Sequence, residues 1–263
     1  MTRLSIALSA LLLIALPSSA TETQPLRLIS LTPAISETLI EMDMAEQIVG
    51  RDQASDLRDV PIVADYQRVN LEAILRLKPT HVIAWQDSLP ASLARQLNAF
   101  GITLLISNTR SLEDWINSTR QLEQALGPAN PVAEKWQAGF DQLRTRFADS
   151  DPVATVWVIW PKPLMVVGGQ GFQSELLALC GAKNPFGTVR QVAPTVDPEQ
   201  LIRAQPALIV GSPEARTQIA EWPTLAGRAY WSPDNDHLSR PGPALLGATA
   251  TLCEQIDNRR NNL

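Results

Sequence analysis

Residues 70–83, NLEAILRLKPTHVI, return in outline at 197–210 as DPEQLIRAQPALIV, 127 residues later. Both copies carry an Asx residue, a Glu two positions on, a pair of aliphatics, a basic residue and a Pro, and then run into an aliphatic stretch. Asn70 or Asp197 fits as a helix N-cap and Pro as the stop, with a short buried strand to follow. Capped helix, Pro and strand recur in any α/β chain. The agreement at Glu, Pro and the basic residue argues further, for two lobes that share one unit at one place.

The segments around the repeat fit that plan. RLISL (27–31) reads as a strand and TPAISETLIEM as a helix, with Thr32 as cap and Pro33 at the first helical position. QIVGRD, HVIAW and ITLLIS read as strands, and SLPASLARQLNAFG and SLEDWINSTRQLEQALG as helices that stop at Gly. Strand and helix alternate, which predicts parallel sheets. A longer helix covers about 131–148, where Val132, Trp136, Phe140, Leu143 and Phe147 form one apolar stripe. Past residue 152 the alternation resumes with VATVWVIW, GFQSELLALCG and the second copy of the repeat, and ALLGATATLCEQI closes the chain as a helix.

MTRLSIALSALLLIALPSSA at the N-terminus has a basic start, an apolar run and a small-residue site, the pattern of a cleaved secretory leader over 1–20. Its apolar run is shorter than the roughly 20 residues that a bilayer takes, and no later segment is apolar enough to span one. The chain carries 22 basic against 27 acidic side chains, a net charge of −5, and losing Arg3 with the leader takes the net charge to −6. That balance opposes a nucleic-acid partner. For an exported chain, Cys180 and Cys253 have two readings. One is a single disulfide, which an oxidising compartment favours and which would add about 4 kcal/mol; the other is a pair of buried thiols.

Enzyme signals are weak. GxSxG, GK[ST] and GxGxxG are all missing, so no catalytic residue is expected. The turn GGQG at 168–171 reads as turn chemistry, and the two histidines, His81 and His237, are too few to build a metal site. His81 sits in an aliphatic strand and His237 in a polar loop. The aromatics say more, since seven Trp stand beside five Phe and two Tyr. Trp115 and Trp136 fit helix faces and read as core. Trp85 and Trp160 end strands, where open α/β sheets hold their ligands, and Tyr66 lies in the loop feeding the repeated helix. Rigid aromatics at a crevice suit a large, flat, partly apolar ligand. Asp236 and Arg240 in DHLSRPGP either pair with each other or grip amides and hydroxyls of that ligand.

Taken in order, RLISLTPAISETL, NLEAILRLKPTHVIAW, the Gly turn before SELLALCGAKNPF, DPEQLIRAQPALIV and DHLSRPGP resemble the class III periplasmic substrate-binding proteins of ABC importers, and within them the cobalamin binders. The resemblance runs over about 26–257. It implies two Rossmann-like α/β lobes, 25–128 and 151–263, joined by a single helix in 129–150, with the ligand cleft between them and only a small hinge motion. It implies a monomer in the periplasm and a disulfide between Cys180 and Cys253. It also implies a corrinoid ligand contacted by Tyr66, Trp85, Asp236 and Arg240, to which the strand-end position of Trp160 and the polar loop of His237 add those two as ligand contacts, and a permease dimer met by Glu72 and Glu199. Ala54 and Ala193 stand where cobalamin binders carry a Tyr and a Trp, so haem or a ferric siderophore is the alternative ligand, with His237 or Tyr66 as axial group.

Overall fold

The computed structural model describes residues 25–86, 88–233 and 236–263, so the leader expected over 1–20 lies outside the described residues. The first half holds β1 (Leu28–Ser30), α1 (Pro33–Glu41), β2 (Ile48–Asp52), β3 (Ile62–Ala64), α2 (Leu71–Arg76), β4 (His81–Trp85), α3 (Ala91–Ala99), β5 (Thr103–Ser107) and α4 (Leu112–Leu126). α5 (Ala133–Phe147) leads into β6 (Val153–Pro161), β7 (Leu164–Val166), α6 (Phe172–Leu179), β8 (Ala182–Lys183), α7 (Pro198–Arg203) and β9 (Leu208–Val210). The chain closes with α8 (Pro213–Ala220), α9 (Pro223–Ala226), β10 (Ala229–Trp231) and α10 (Leu245–Arg260).

Local chemistry sets these boundaries. Thr32 Oγ1 accepts from Ile35 N at 3.4 Å, Asn70 Oδ1 from Ala73 N at 3.1 Å and Ser111 Oγ from Asp114 N at 3.0 Å, so each satisfies a backbone N–H that a helix start leaves open. Gly127 ends α4 at φ 60°, a conformation that costs a glycine nothing.

Two sheets result. The first runs β3-β2-β1-β4-β5, parallel throughout. In the second, β10, β9, β6 and β8 pair in parallel but β7 folds back antiparallel on β6, a hairpin that the reading of strict alternation does not anticipate. The GGQG turn acts as a turn: a Cβ on Gly168 would lie 2.1 Å from the carbonyl oxygen of Gln191, and one on Gly169 equally close to that of Gly187. Loop 184–194 therefore packs on bare backbone.

The halves share a core. One apolar cluster runs from Leu28, Ile35 and Leu39 through Trp115, Trp136 and Phe140 to Val153, Cys180 and Cys253. Helix α5 turns Trp136, Phe140 and Phe147 into it as its stripe predicts. Smaller clusters sit within each sheet, around Ile74 and Val82 in the first and Ile209 and Leu201 in the second. Cys180 and Cys253 are bonded and fully buried, with Cα atoms 4.6 Å apart, and tie the end of α6 to α10.

Candidate ligand crevice

Parallel sheets release their chains at the carboxyl edge, and two contacts bring the two carboxyl edges together. Glu37, in α1 just after β1, receives Arg240 Nη1 at Oε2 (3.0 Å) and Nη2 at Oε1 (2.9 Å), and Arg240 lies in the loop after β10. Leu112 N, at the start of α4 after β5, donates to Glu175 Oε2 in the first turn of α6 at 3.0 Å. The crevice between these edges is where α/β sheets hold ligands.

The expected aromatics lie along the carboxyl edges. Trp85 ends β4 and is half-buried. One side of its surroundings is a hollow of about 260 Å³ with Gln86, Asn108 and Arg110, and the other packs near Ile35, Trp115 and Pro241. Trp160 is 58% exposed, and its indole N–H donates to Lys162 O at 3.0 Å, which pins the ring to the β6–β7 hairpin. Ile159 beside it and Val192 across the loop are exposed too, so this rim is apolar. Tyr66 is 92% exposed. Its turn is fixed: Asp65 Oδ1 accepts from Gln67 N (2.8 Å) and Arg68 N (2.9 Å), hydrogen bonds that hold the Asp65 carboxyl below its usual range.

On the second sheet's side a hollow of about 390 Å³ lies among Ile159, Gln173, Ser212, Asp236 and Leu238. Asp236 Oδ2 accepts from Arg240 Nε at 3.1 Å, and His237, half-buried, follows it. The pairing anticipated for Asp236 and Arg240 is present, and Glu37 adds a second carboxylate. The hydrogen bonds that Glu37 accepts raise the Arg240 pKa above the usual guanidinium value, against burial, which lowers it. A larger hollow, about 800 Å³, opens at the amino edge of the first sheet beside Leu26, His81 and Phe100. It lies at the wrong end of the strands to share in the crevice. His81 Nδ1 sits 2.9 Å from Thr80 Oγ1 there, and burial lowers the His81 pKa.

A family model described as periplasmic binding protein matches residues 28–227. The chain belongs to the periplasmic binding protein family. As a periplasmic binding protein it is a non-enzymatic transport component. Among its relatives is a vitamin B12-binding protein of Vibrio campbellii, 29% identical over 89% of this chain and 90% of that protein. Among solved structures, the periplasmic vitamin B12 binding protein BtuF of Vibrio cholerae matches at a TM-score of 0.74 and 28% identity, covering 89% of this chain and 97% of that one. The periplasmic heme-binding protein RhuT of Roseiflexus sp. RS-1 matches at 0.76 and 23% identity over 90% and 100%, a likeness of fold alone.

In this periplasmic binding protein the sequence repeat is also a structural repeat. The bounds of α2 and α7 differ by the same 127 residues as the sequences. Glu72 pairs with Arg76 at 3.7 Å and Glu199 with Arg203 at 3.9 Å, and both carboxylates are more than four-fifths exposed. Lys78 (φ 46°) and Gln205 (φ 43°) take the left-handed conformation just before the two Pro residues, at equivalent positions. Each Glu sits in the first turn of its helix.

Two features of the crevice give no signal in the sequence. Glu37 is one of several polar residues in α1 and has no motif around it. Beneath α1, Ser36 Oγ lies 2.8 Å from both Ser30 Oγ and Ser55 Oγ, and Ser55 bonds Asp52, which ties α1 and the turn carrying Ala54 to β1 and β2. All four side chains are buried, and their hydrogen bonds to one another satisfy their polar groups there.

Proposed function

We propose that the protein captures a corrinoid of the cobalamin kind in the crevice and delivers it to the permease dimer of an inner-membrane ABC importer. Export to the periplasm would follow from the leader over 1–20, with 25–128 and 151–263 acting as the two lobes about a connector within 129–150. The observation that carries the reading is the placement of Trp85 and Trp160 at the carboxyl edges of facing sheets, with solvent-exposed Tyr66 in the loop before α2. Rigid rings around an open cleft suit a flat, largely apolar macrocycle, and Asp236, His237 and Arg240 supply polar contacts for its periphery. Relatives named for vitamin B12 binding, aligned over nearly the whole chain, support the same ligand class.

The partner reading rests on Glu72 and Glu199. A two-fold permease offers two equivalent docking sites, and a single chain meets both only through pseudo-symmetry, which the shared helix supplies. Exposed carboxylates on each lobe would fix orientation and speed encounter more than they add affinity.

Calorimetry with cyanocobalamin, cobinamide and haem tests the ligand. Equimolar corrinoid binding at about micromolar affinity or tighter is expected. Native mass spectrometry and an absorbance spectrum of protein taken from the periplasm should show the same ligand. Tight haem binding with no corrinoid signal would reassign the cleft to haem, with Tyr66 or His237 as axial ligand.

A further inference from the structure

Arg240 joins the two carboxyl edges, its side chain is only 20% exposed, and three of its N–H groups are already taken. A guanidinium presents five N–H groups in a fixed fork. Its terminal edge, Nη1 and Nη2, is filled by the two oxygens of Glu37, and Nε is filled by Asp236. The partner from the first lobe is held in place: a Cβ on Gly242 would sit 3.4 Å from Glu37 Oε2 and 3.5 Å from Ala34 Cβ, so the Pro-Gly-Pro bend after Arg240 lies against α1. Arg110, a cation beside Trp85 on the first-lobe side of the crevice, has a partner as well.

From this geometry we infer that Glu37 makes the crevice select neutral, amide-bearing ligands over carboxylate-bearing ones, by occupying the edge of Arg240 that a ligand carboxylate would take. The inference rests on the corrinoid reading and names the chemistry that the same site accepts. A ligand carboxylate arriving here meets one positive charge already flanked by two negative ones. It finds no bidentate edge, and the partial burial weakens solvent screening of the repulsion. A neutral amide meets no such penalty. Its carbonyl accepts from the one unused N–H on either Nη, and its NH₂ donates to spare lone pairs of Glu37 or Asp236. Glu37 is thus a positioning and selecting residue that acts through Arg240.

The test compares affinities for a neutral ligand and its acid: cyanocobalamin against a cyanocobalamin carboxylate made by hydrolysing a peripheral amide. Wild type should prefer the neutral member by at least about tenfold, and Glu37→Gln should cut that preference by at least about fivefold through tighter binding of the acid. Glu37→Ala should do the same, with the fold of each variant checked by its melting curve. A purely structural clasp would weaken both members equally and leave the ratio unchanged, and that outcome overturns the inference. Should the protein bind haem and no corrinoid, the corrinoid reading fails by itself. The selection is then read on haem against its dimethyl ester, where a wild-type preference for free haem overturns it.

Discussion

The indole of Trp115 in α4 stacks on that of Trp136 in α5, with ring centroids 4.8 Å apart and planes 17° apart. Phe140, one turn further along α5, meets Trp115 edge-on at 6.4 Å. Trp115 and Trp136 are 3% and 2% exposed, so α5 is clamped onto α4 by a buried aromatic contact. Trp136→Ala should cost about 3–5 kcal/mol in denaturant unfolding. A double-mutant cycle with Trp115→Ala should return a coupling of about 0.5–1.5 kcal/mol. A loss within experimental error would mean that α5 is held elsewhere.

The Cys180–Cys253 bond closes a separation of 73 residues and joins α6 to α10. Reduction should lower stability by about 4 kcal/mol on the chain-entropy account. Ligand stoichiometry should not change, because neither cysteine lines the crevice. Thiol labelling of the denatured, unreduced protein should find no free thiol; two would contradict the pairing.

Trp85 offers its ring at the end of β4. Trp85→Ala should weaken corrinoid binding by at least about tenfold, in line with the loss of a buried aromatic contact. Tm should move little, since the side chain is only half-buried in the free protein. Calorimetry paired with a thermal melt separates the two effects. An unchanged affinity would remove Trp85 from the site.

Glu72 and Glu199 are each paired with an Arg one turn on and face solvent. Exposed pairs of this kind contribute about 0.3–0.5 kcal/mol, so reversing them should scarcely alter folding. Glu72→Arg with Glu199→Arg should abolish uptake of labelled corrinoid by cells while ligand affinity stays at the wild-type value. Each single reversal should give a partial defect. Normal transport by the double variant would leave the two carboxylates as helix-dipole partners only.

His81 begins β4, and burial lowers its pKa from the ordinary 6.5. The folded protein therefore keeps it neutral where the unfolded chain already takes up a proton. The sign follows: stability falls as pH drops through about 6.5 and goes on falling towards the lower folded value. Melting curves between about pH 7 and pH 5 should show a steeper loss for wild type than for His81→Gln. Equal slopes would show that His81 titrates alike in both states.

The sequence by itself determined what depends on neighbours within a turn or two. Thr32, Asn70 and Ser111 cap helices where they stand because the bond reaches only three residues along. The stripe from Val132 to Phe147 points inward because a helix repeats its faces at that spacing. The two copies of helix, Pro and strand were legible for the same reason, as were the strand-end positions of Trp85 and Trp160. Tertiary structure alone decided which strands became neighbours, that β7 turns back on β6, and which charges meet across the crevice. Glu37 and Arg240 are 203 residues apart, and nothing local to either specifies the other. Their pairing exists because two sheets, held by one shared apolar core, turn their carboxyl edges together, and a charge half-removed from water takes the partner that the packing leaves beside it.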